Sequence, residues 1–497
     1  MRGLTLLAAG PLVLGPAVLA FFDGGYFDRP RLVAGIVAWA LVALAAVFAE
    51  RPFPRYLPGW LAIGGLVLLT AWTALSLAWA PLRSQAMGDV QRLALYSGVL
   101  IAAAAWLRPP RAATLVEPGL ALGVIAVVGY GMSERFLPGL LEHKASMLAF
   151  GRLEQPITYW NGMGIVAAIG LVLVARLAGS SGRPRWLRAL AAGGAPLLGA
   201  GLLLTFSRGA MAAGAAGLFL LLVLAPERGQ TRAVALTVAT AVCAAVPAAV
   251  LPGVDVVGPE QSSSSGAVLL CTTLLLGCIA AFAQWRIAGE PADTAPRARK
   301  GIRRWGWAVV TLVAITSLVA VAAAIDSNET GGQGDRQRAG AQRLRSLESP
   351  RYRYWGVAVG ALASDPLTGV GTAGFRVEWA REGDRGSFAR EAHSLYFETA
   401  AELGLAGLAL LAMFGAGLVL SARRALARDP AAAAGPVAVM LTWALHAGID
   451  WDWELPAVTL PALICGGVLV ASGDLGARRS APANDPGVRE RGGVLHV

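Results

Sequence analysis

The chain has 497 residues, of which 56% are hydrophobic and only 15% charged, and it carries 61 Gly and 15 Trp. This composition excludes an ordinary soluble domain. A formal net charge of +11 would suit a nucleic-acid partner, but the arginines lie mostly in short connections between apolar runs, so we expect no nucleic-acid binding.

Apolar runs of roughly 17 to 22 residues recur along the chain, and each could cross a hydrocarbon core of about 30 Å as a helix. Because the weak alternation of a membrane barrel is absent, we predict an all-α, polytopic membrane protein with about 12–14 transmembrane helices and a GT-C-like arrangement. The first run could be a signal peptide, but an uncleaved helix is expected. The candidate spans are about 4–22, 32–48, 59–79, 92–107, 114–131, 161–177, 187–206, 209–225, 233–250, 267–284, 305–324, 403–421, 435–449 and 456–472.

Arginine-rich connections alternate with connections that are poor in basic residues. With the N-terminus placed in the cytoplasm, six connections that are rich in arginine are all cytoplasmic. They lie at 50–55, 108–111, 179–188, 226–232, 286–304 and 422–430. The loop at 251–266 has no basic residue and falls outside. The positive-inside rule therefore predicts that both termini are cytoplasmic.

Three regions follow from this pattern. Residues 1–200 form N-terminal transmembrane helices, 201–472 form a membrane domain, and 473–497 form a polar, disordered cytoplasmic tail. The membrane domain contains one long extracytoplasmic loop, at about 325–402, which we expect to carry the function. Cys243, Cys271, Cys278 and Cys465 all lie in apolar runs without a CxxC spacing, which predicts neither a disulfide framework nor a zinc site.

The long loop holds ten arginines and eleven carboxylates. Pairing at a solvated surface explains most of these charges. The planar guanidinium nevertheless suits phosphate oxygens, and Arg351 and Arg353 open a short amphipathic helix that we predict on the outer leaflet. A second outside loop, at 132–160, contains Arg152 and leads into Tyr159 and Asn161.

Arg208 breaks two apolar spans in "LLLTFSRGAMAAGAAG", on the predicted outer side. An arginine at a helix end can simply extend to the interface. The tight Ser-Arg-Gly turn also holds a fixed cation at the depth of lipid headgroups, where a lipid-linked phosphate would lie.

His393 is the one histidine in the long loop, in "EAHSLYFETAAELGLAG". A lone histidine is often structural, but imidazole exchanges protons near neutral pH. Tyr396, Glu398 and Glu402 follow it, and the two glutamates share a helix face.

Two further motifs are only weak evidence for a ligand site. Asp450 and Asp452 form a D-x-D beside Trp451 and Trp453, but two carboxylates alone are a weak metal signal, and we predict no metal site. The GxGxxG match at 369–374 follows no strand, which argues against a dinucleotide site. The chain also lacks a P-loop and a GxSxG.

Over about residues 200–420 the chain resembles the O-antigen ligase and polymerase superfamily of bacterial membrane proteins. The likeness is carried by "TFSRGA", by R-x-x-x-W with "DPLTGVGTAGF" in the long loop, by "HSLYFETAAELGLAG", and by the upstream block "YWNGMG". The resemblance implies a membrane glycosyltransferase of the bacterial cytoplasmic membrane. It would act extracytoplasmically on an undecaprenyl-diphosphate-linked glycan donor and a glycan or lipid acceptor among membrane lipids, without a metal or cofactor.

By this resemblance the catalytic residues are His393, Arg208 and Arg351. We assign substrate binding to Arg353, Arg152, Tyr159, Asn161, Tyr396, Glu398 and Asp450. Ser394 follows His393 where many ligases carry an asparagine, which weakens the likeness to a ligase that uses a lipid A core. The Arg-, Ala- and Gly-heavy composition suits a bacterium without an outer membrane, which favours polymerisation or attachment to another acceptor. Two other classes stay open: a permease for a small anion or lipid, and a non-catalytic partner of a cell-envelope complex. Bare helix centres argue against the permease.

Overall fold

The computed structural model describes residues 2–109, 112–141, 143, 146, 149–258, 260–289, 351–383 and 389–474. Its regular structure is entirely helical within those ranges. The α-helices are α1 (Arg2–Ala20), α2 (Asp28–Phe48), α3 (Leu57–Ser76), α4 (Arg83–Trp106), α5 (Val116–Phe136), α6 (Trp160–Gly179), α7 (Arg185–Gly193), α8 (Ala195–Leu204), α9 (Arg208–Leu224), α10 (Arg228–Val250), α11 (Ser263–Ala288), α12 (Arg351–Ser364), α13 (Phe375–Glu382), α14 (Leu395–Arg428), α15 (Pro430–Ala447) and α16 (Pro456–Gly473).

The predicted spans correspond closely to these helices. Each of them overlaps a helix except the one at 305–324, which lies outside the described residues together with the first part of the long loop and the tail. Within the described residues, 10 helical segments are long and apolar enough to cross a membrane, and Thr5–Ala20 and Arg208–Leu224 are shorter apolar helices. The protein is thus a polytopic helical membrane protein, as predicted.

Helix α4 begins earlier than its predicted span. The span was expected at 92–107, whereas the helix starts at Arg83 and carries Asp89 and Arg92 in its first turns. Asp89 and Arg92 form an ion pair, with 3.0 Å between Oδ1 and Nη1. Hydropathy did not detect these turns because they are polar. They line a polar cavity together with the first turns of α2 and α14.

The 34-residue helix α14 packs closely along α3. Glycines permit this approach: a Cβ added at Gly417 would lie 2.1 Å from the backbone nitrogen of Ala62, and one added at Gly65 would lie 2.4 Å from that of Phe414. Small residues at a helix contact let two backbones approach as they do in membrane bundles.

Helix α14 is broken at Gly404, whose φ of 65° lies in the left-handed region that glycine favours. The segment that follows α12 packs on this break. Val370 N–H donates to the Ala401 carbonyl at 3.0 Å, and Gly371 N–H donates to the Glu402 carbonyl at 2.9 Å. The GxGxxG stretch therefore serves as backbone support for the start of α14.

Helix α12 exists where the amphipathic helix was predicted, beginning at Arg351. It packs on α13 and α14 through Ala358 and Ala361, which are buried. We call the end of the bundle on which residues 351–383 and 389–394 pack the loop end. The described parts of the arginine-rich connections lie at the opposite end, where Asp474 pairs with Arg108 at 3.7 Å.

Candidate active site

The carboxylate of Asp450 is the centre of a polar cluster at the loop end. It is fully buried, and its Oδ2 accepts hydrogen bonds from Arg351 Nη2 at 2.5 Å and Asn161 Nδ2 at 2.7 Å. Its Oδ1 accepts from the Tyr159 hydroxyl at 2.5 Å and from the Trp451 backbone N–H at 2.9 Å. Four donors thus surround one buried carboxylate, which satisfies its hydrogen-bonding capacity.

Helix ends bring these groups together from distant parts of the chain. Tyr159 is the N-cap residue of α6 and Asn161 lies in its first turn. Arg351 is the first residue of α12, and Asp450 lies in the connection between α15 and α16. Sequence analysis singled out all four residues separately, and the structure joins them into one network.

This network keeps Asp450 ionised. Burial alone would raise the pKa of Asp450, but the Arg351 guanidinium lowers that pKa below its ordinary value. The pKa of Tyr159 is raised well above its usual value by burial and by the charge of Asp450. Tyr159 is therefore a neutral phenol that donates to the carboxylate.

His393 lies beside the same network. Its ring contacts Tyr354, one helical turn after Arg351, with 5.0 Å between ring centroids, and it lies 6.3 Å from the Trp451 ring. Its Nδ1 is 3.0 Å from the backbone carbonyl oxygen of Glu391. Since a carbonyl oxygen can only accept, Nδ1 is the protonated nitrogen, and Nε2 of the neutral ring carries the lone pair.

Burial lowers the pKa of His393, although the charge of Asp450 opposes this shift. The ring is consequently neutral at neutral pH and able to accept a proton. The backbone of His393 has φ 52°, in the left-handed region that is uncommon for residues other than glycine. Thr158, directly before Tyr159, has φ 65°, and Phe206, two residues before Arg208, has φ 49°. Such outliers cluster at functional sites.

Arg208 is exposed at the first position of α9. Ser207 caps this helix, accepting from the Ala210 N–H at 3.4 Å. Helix α9 packs on α6 and α15, and a Cβ added at Gly209 would lie 3.3 Å from His446 Nε2. Arg208 therefore starts a helix whose first turn contacts the helices that carry Asn161 and His446.

The other predicted substrate-binding residues divide into two groups. The Arg152 guanidinium lies 3.5 Å from the centre of the Trp160 ring, next to Tyr159, and Arg353 is exposed on α12. Tyr396 instead donates its hydroxyl to the Ala444 carbonyl at 3.1 Å, and Glu398 accepts from the Ala392 N–H at 2.9 Å. The last two contacts fix the start of α14.

Sequence reasoning missed a buried pair formed by His446 and Asp452. His446 Nδ1 lies 2.6 Å from Asp452 Oδ2, and both side chains are buried. Neither His446 Nε2 nor Asp452 Oδ1 has a hydrogen-bond partner in the described part of the chain. A histidine inside an apolar span gave no signal in the sequence, although its i+6 carboxylate lies in the D-x-D that was considered.

The two carboxylates of the D-x-D thus take different partners, Arg351 for Asp450 and His446 for Asp452. Burial raises the pKa of Asp452, against the effect of His446. In the described ranges no group of three or more His, Cys, Asp or Glu side chains is arranged to hold a metal ion.

Residues 261–412 match the family model described as O-antigen ligase. The matched range includes Arg351, Arg353 and His393, whereas Arg208 and Asp450 lie outside it. No curated protein matches the chain. O-antigen ligase-type proteins transfer glycans from lipid-linked substrates at a membrane, and the helical architecture agrees with that setting. The match over residues 261–412 supports the resemblance to the O-antigen ligase and polymerase superfamily that the sequence blocks indicated.

Proposed function

We propose that this protein transfers glycan from an undecaprenyl-diphosphate-linked donor to an acceptor hydroxyl, at the outer face of the bacterial cytoplasmic membrane. The observation that carries the proposal is the position of Arg351. The buried carboxylate of Asp450 holds its guanidinium at 2.5 Å, next to a neutral His393. A fixed cation and a proton acceptor side by side suit the departure of a diphosphate and the activation of a hydroxyl.

The donor diphosphate would bind Arg351 and Arg208. Arg208 is exposed at the N-terminus of α9, where helix N–H groups also favour an anion. Negative charge grows on the diphosphate as the glycosidic bond breaks, so cations already in place stabilise the transition state more than the ground state. Arg152, stacked on Trp160, and the exposed Arg353 would extend this cationic surface.

Asp450 acts as a positioning residue in this proposal. Its carboxylate is fully buried and already accepts four hydrogen bonds, so it is well placed to orient Arg351. Tyr159 and Asn161 hold Asp450 in turn. We accordingly propose that these three residues act on the substrate indirectly, by orienting Arg351.

His393 would take the proton of the acceptor hydroxyl at Nε2. The hydroxyl oxygen then forms a bond to the anomeric carbon while the bond from that carbon to the diphosphate oxygen breaks, and the diphosphate leaves with the electron pair. Attack opposite the leaving group inverts the anomeric centre. The lipid diphosphate is itself an activated leaving group, so the step requires neither a metal nor a further energy source.

The test is glycan transfer by the purified protein in lipid nanodiscs, with a lipid-diphosphate donor and EDTA. Arg351→Ala and Arg208→Ala should each lower the rate by about 100-fold or more, the usual loss for removing a transition-state donor. His393→Ala should lower it by a similar factor. Arg381→Ala is the matched control, because Arg381 is an exposed arginine of the same segment that pairs with Glu378. Wild-type rates in all three site variants would refute the proposal.

Ligase and polymerase share the donor chemistry and differ in the acceptor. The lipid-linked products of a deletion strain separate them. Loss of a polymerase should leave single repeat units on the lipid, whereas loss of a ligase should leave long unattached chains. A permease would instead show uptake into proteoliposomes that survives His393→Ala.

A further inference from the structure

Four arginines gather at the end of the bundle opposite the loop end, although they come from distant parts of the chain. Arg51 and Arg55 lie in the connection between α2 and α3, Arg108 follows α4, and Arg424 lies in the last turns of α14. The positive-inside rule places such residues on one side of a membrane, but it does not bring them to one place. The packing of α3 on α14 and of α16 on α4 does so. We call these four residues the arginine cluster.

The carboxylate of Asp474 anchors the cluster from the protein side. Its Oδ1 accepts from the backbone N–H groups of Arg55 at 2.5 Å and Tyr56 at 3.1 Å, and its Oδ2 lies 3.7 Å from Arg108 Nη1. The Asp474 side chain is buried, whereas Arg55 is exposed. The same connection also carries the exposed Glu50. Arginines thus outnumber carboxylates here, and the buried carboxylate is bound mainly by backbone.

The charges of the cluster lie near enough to repel one another. Burial lowers the pKa of Arg108, and the positive charges of Arg51 and Arg55 lower that pKa further, against the effect of Asp474. An anion from outside the chain would relieve this repulsion, because it would attract all of the guanidinium groups at once.

Exposed aromatic side chains flank the cluster. The Arg424 guanidinium lies 4.1 Å from the centre of the Tyr56 ring, and its Nε donates to the Gly473 carbonyl at 3.2 Å. These two contacts hold an exposed arginine in place. One turn further along α3 the exposed Trp60 stacks on the exposed Phe53, with 6.0 Å between ring centroids. Exposed Trp and Tyr side chains are typical of the headgroup layer, so the arginine cluster lies at the depth of lipid headgroups.

The chemistry of the cluster narrows the class of anion. The planar guanidinium matches phosphate oxygens, and basic groups between helix ends on the cytoplasmic side, which is the predicted side here, bind anionic lipid headgroups. The polar tail at 475–497 is a poor alternative occupant, because its sequence carries four arginines against Asp485 and Glu490. An external phosphate at headgroup depth therefore suits the cluster better than a segment of this chain.

We propose that the arginine cluster binds the phosphate headgroup of an anionic phospholipid from the leaflet at this end of the bundle. Arg51, Arg55 and Arg424 would contact the phosphate, while Tyr56 and Trp60 border the glycerol and the first methylene groups. The site lies at the opposite end of the helices from the candidate active site and does not depend on the proposed glycan transfer. A bound lipid would link the ends of α3, α14 and α16.

Native mass spectrometry of the full chain, purified in detergent and freed of lipid, tests this directly. The protein is titrated with phosphatidylglycerol or with phosphatidylcholine of the same acyl chains, and phosphatidylglycerol should bind at least tenfold more tightly. The double variant Arg51→Gln/Arg55→Gln should weaken phosphatidylglycerol binding at least tenfold, since each basic residue near a membrane surface contributes about fivefold. This variant keeps the backbone contacts with Asp474. The matched control is Arg228→Gln/Arg286→Gln, which removes two exposed arginines of α10 and α11 at the same end.

Three results would overturn the proposal. Equal binding of the two lipids by the wild type would do so without any variant. Equal losses in the two double variants would show that charge at this end acts diffusely, with no local site. Displacement of phosphatidylglycerol by an equal concentration of glycerol 3-phosphate would show that the cluster binds free phosphate and not a lipid. The expected result is a loss confined to Arg51→Gln/Arg55→Gln that glycerol 3-phosphate does not reproduce.

Discussion

Asp450 and Arg351 lie 99 positions apart in the chain, yet Oδ2 of one and Nη2 of the other are 2.5 Å apart. The Asp450 side chain is fully buried and the Arg351 side chain is 28% exposed. The pair is therefore anchored on the protein side while the arginine reaches toward solvent. Such a support shell restricts the orientations of a functional side chain.

Replacing Asp450 with asparagine should remove the negative charge that holds Arg351 while the side chain keeps nearly the same shape. Arg351 would lose its charge partner and sample other orientations, so we expect glycan transfer to fall on the order of 100-fold. Steady-state kinetics with the lipid-diphosphate donor measures this. Glu378→Gln breaks the exposed pair with Arg381 in the same segment and should change the rate less than about twofold, since such pairs contribute little. Equal effects of the two substitutions would contradict the positioning role.

The proposed base predicts a defined pH profile. His393 must be neutral to accept a proton, and burial lowers its pKa, so the transfer rate should fall only when the pH drops below the usual histidine value of about 6.5. His393→Asn should remove this acidic limb along with most of the rate. Asparagine tolerates the left-handed backbone found at φ 52°, so the variant tests the imidazole separately from the turn. A full rate in His393→Asn would show that the ring only packs against Tyr354.

The helices of this protein follow almost directly from hydropathy, because apolar runs of membrane length have no other stable conformation in a bilayer. The candidate active site can be predicted from the sequence only in part. Arg208, Arg351 and His393 break apolar or loop patterns and could be singled out. Nothing in one sequence links Asp450 to Arg351, since the contact depends on how α12 packs on the bundle.

The cavity was less predictable still. Arg92 and Glu454 pair across 362 positions, and hydropathy placed Arg92 at the very start of a span. The sequence also did not predict the ion pair of His446, because a lone histidine in an apolar helix is usually a packing residue. Its carboxylate partner becomes evident only when the connection after α15 folds back on that helix.

The buried pair of His446 and Asp452 should stabilise the loop end. His446→Ala leaves a buried carboxylate without its partner at 2.6 Å, and loss of one member of a buried pair costs about 3 kcal/mol or more. The double variant with Asp452→Ala should lose less than the sum of the two single losses. Thermal unfolding of the four proteins in one detergent gives this cycle. Strict additivity would mean that the two groups stabilise the fold independently.

The close contact between α3 and α14 provides a test of the bundle itself. A methyl group at Gly417 would lie 2.1 Å from the backbone nitrogen of Ala62, and backbone cannot move aside as a side chain can. Gly417→Ala should therefore separate the two helices and cost about 1–3 kcal/mol, measured as a lower unfolding temperature. Gly415→Ala is the matched control two residues away, where an added Cβ meets nothing within 4 Å. This control should unfold no earlier than the wild type, because alanine is the better helix former. If both variants unfolded at the wild-type temperature, the tight approach of α3 and α14 would be wrong, and with it the placement of the start of α14 beside the candidate site.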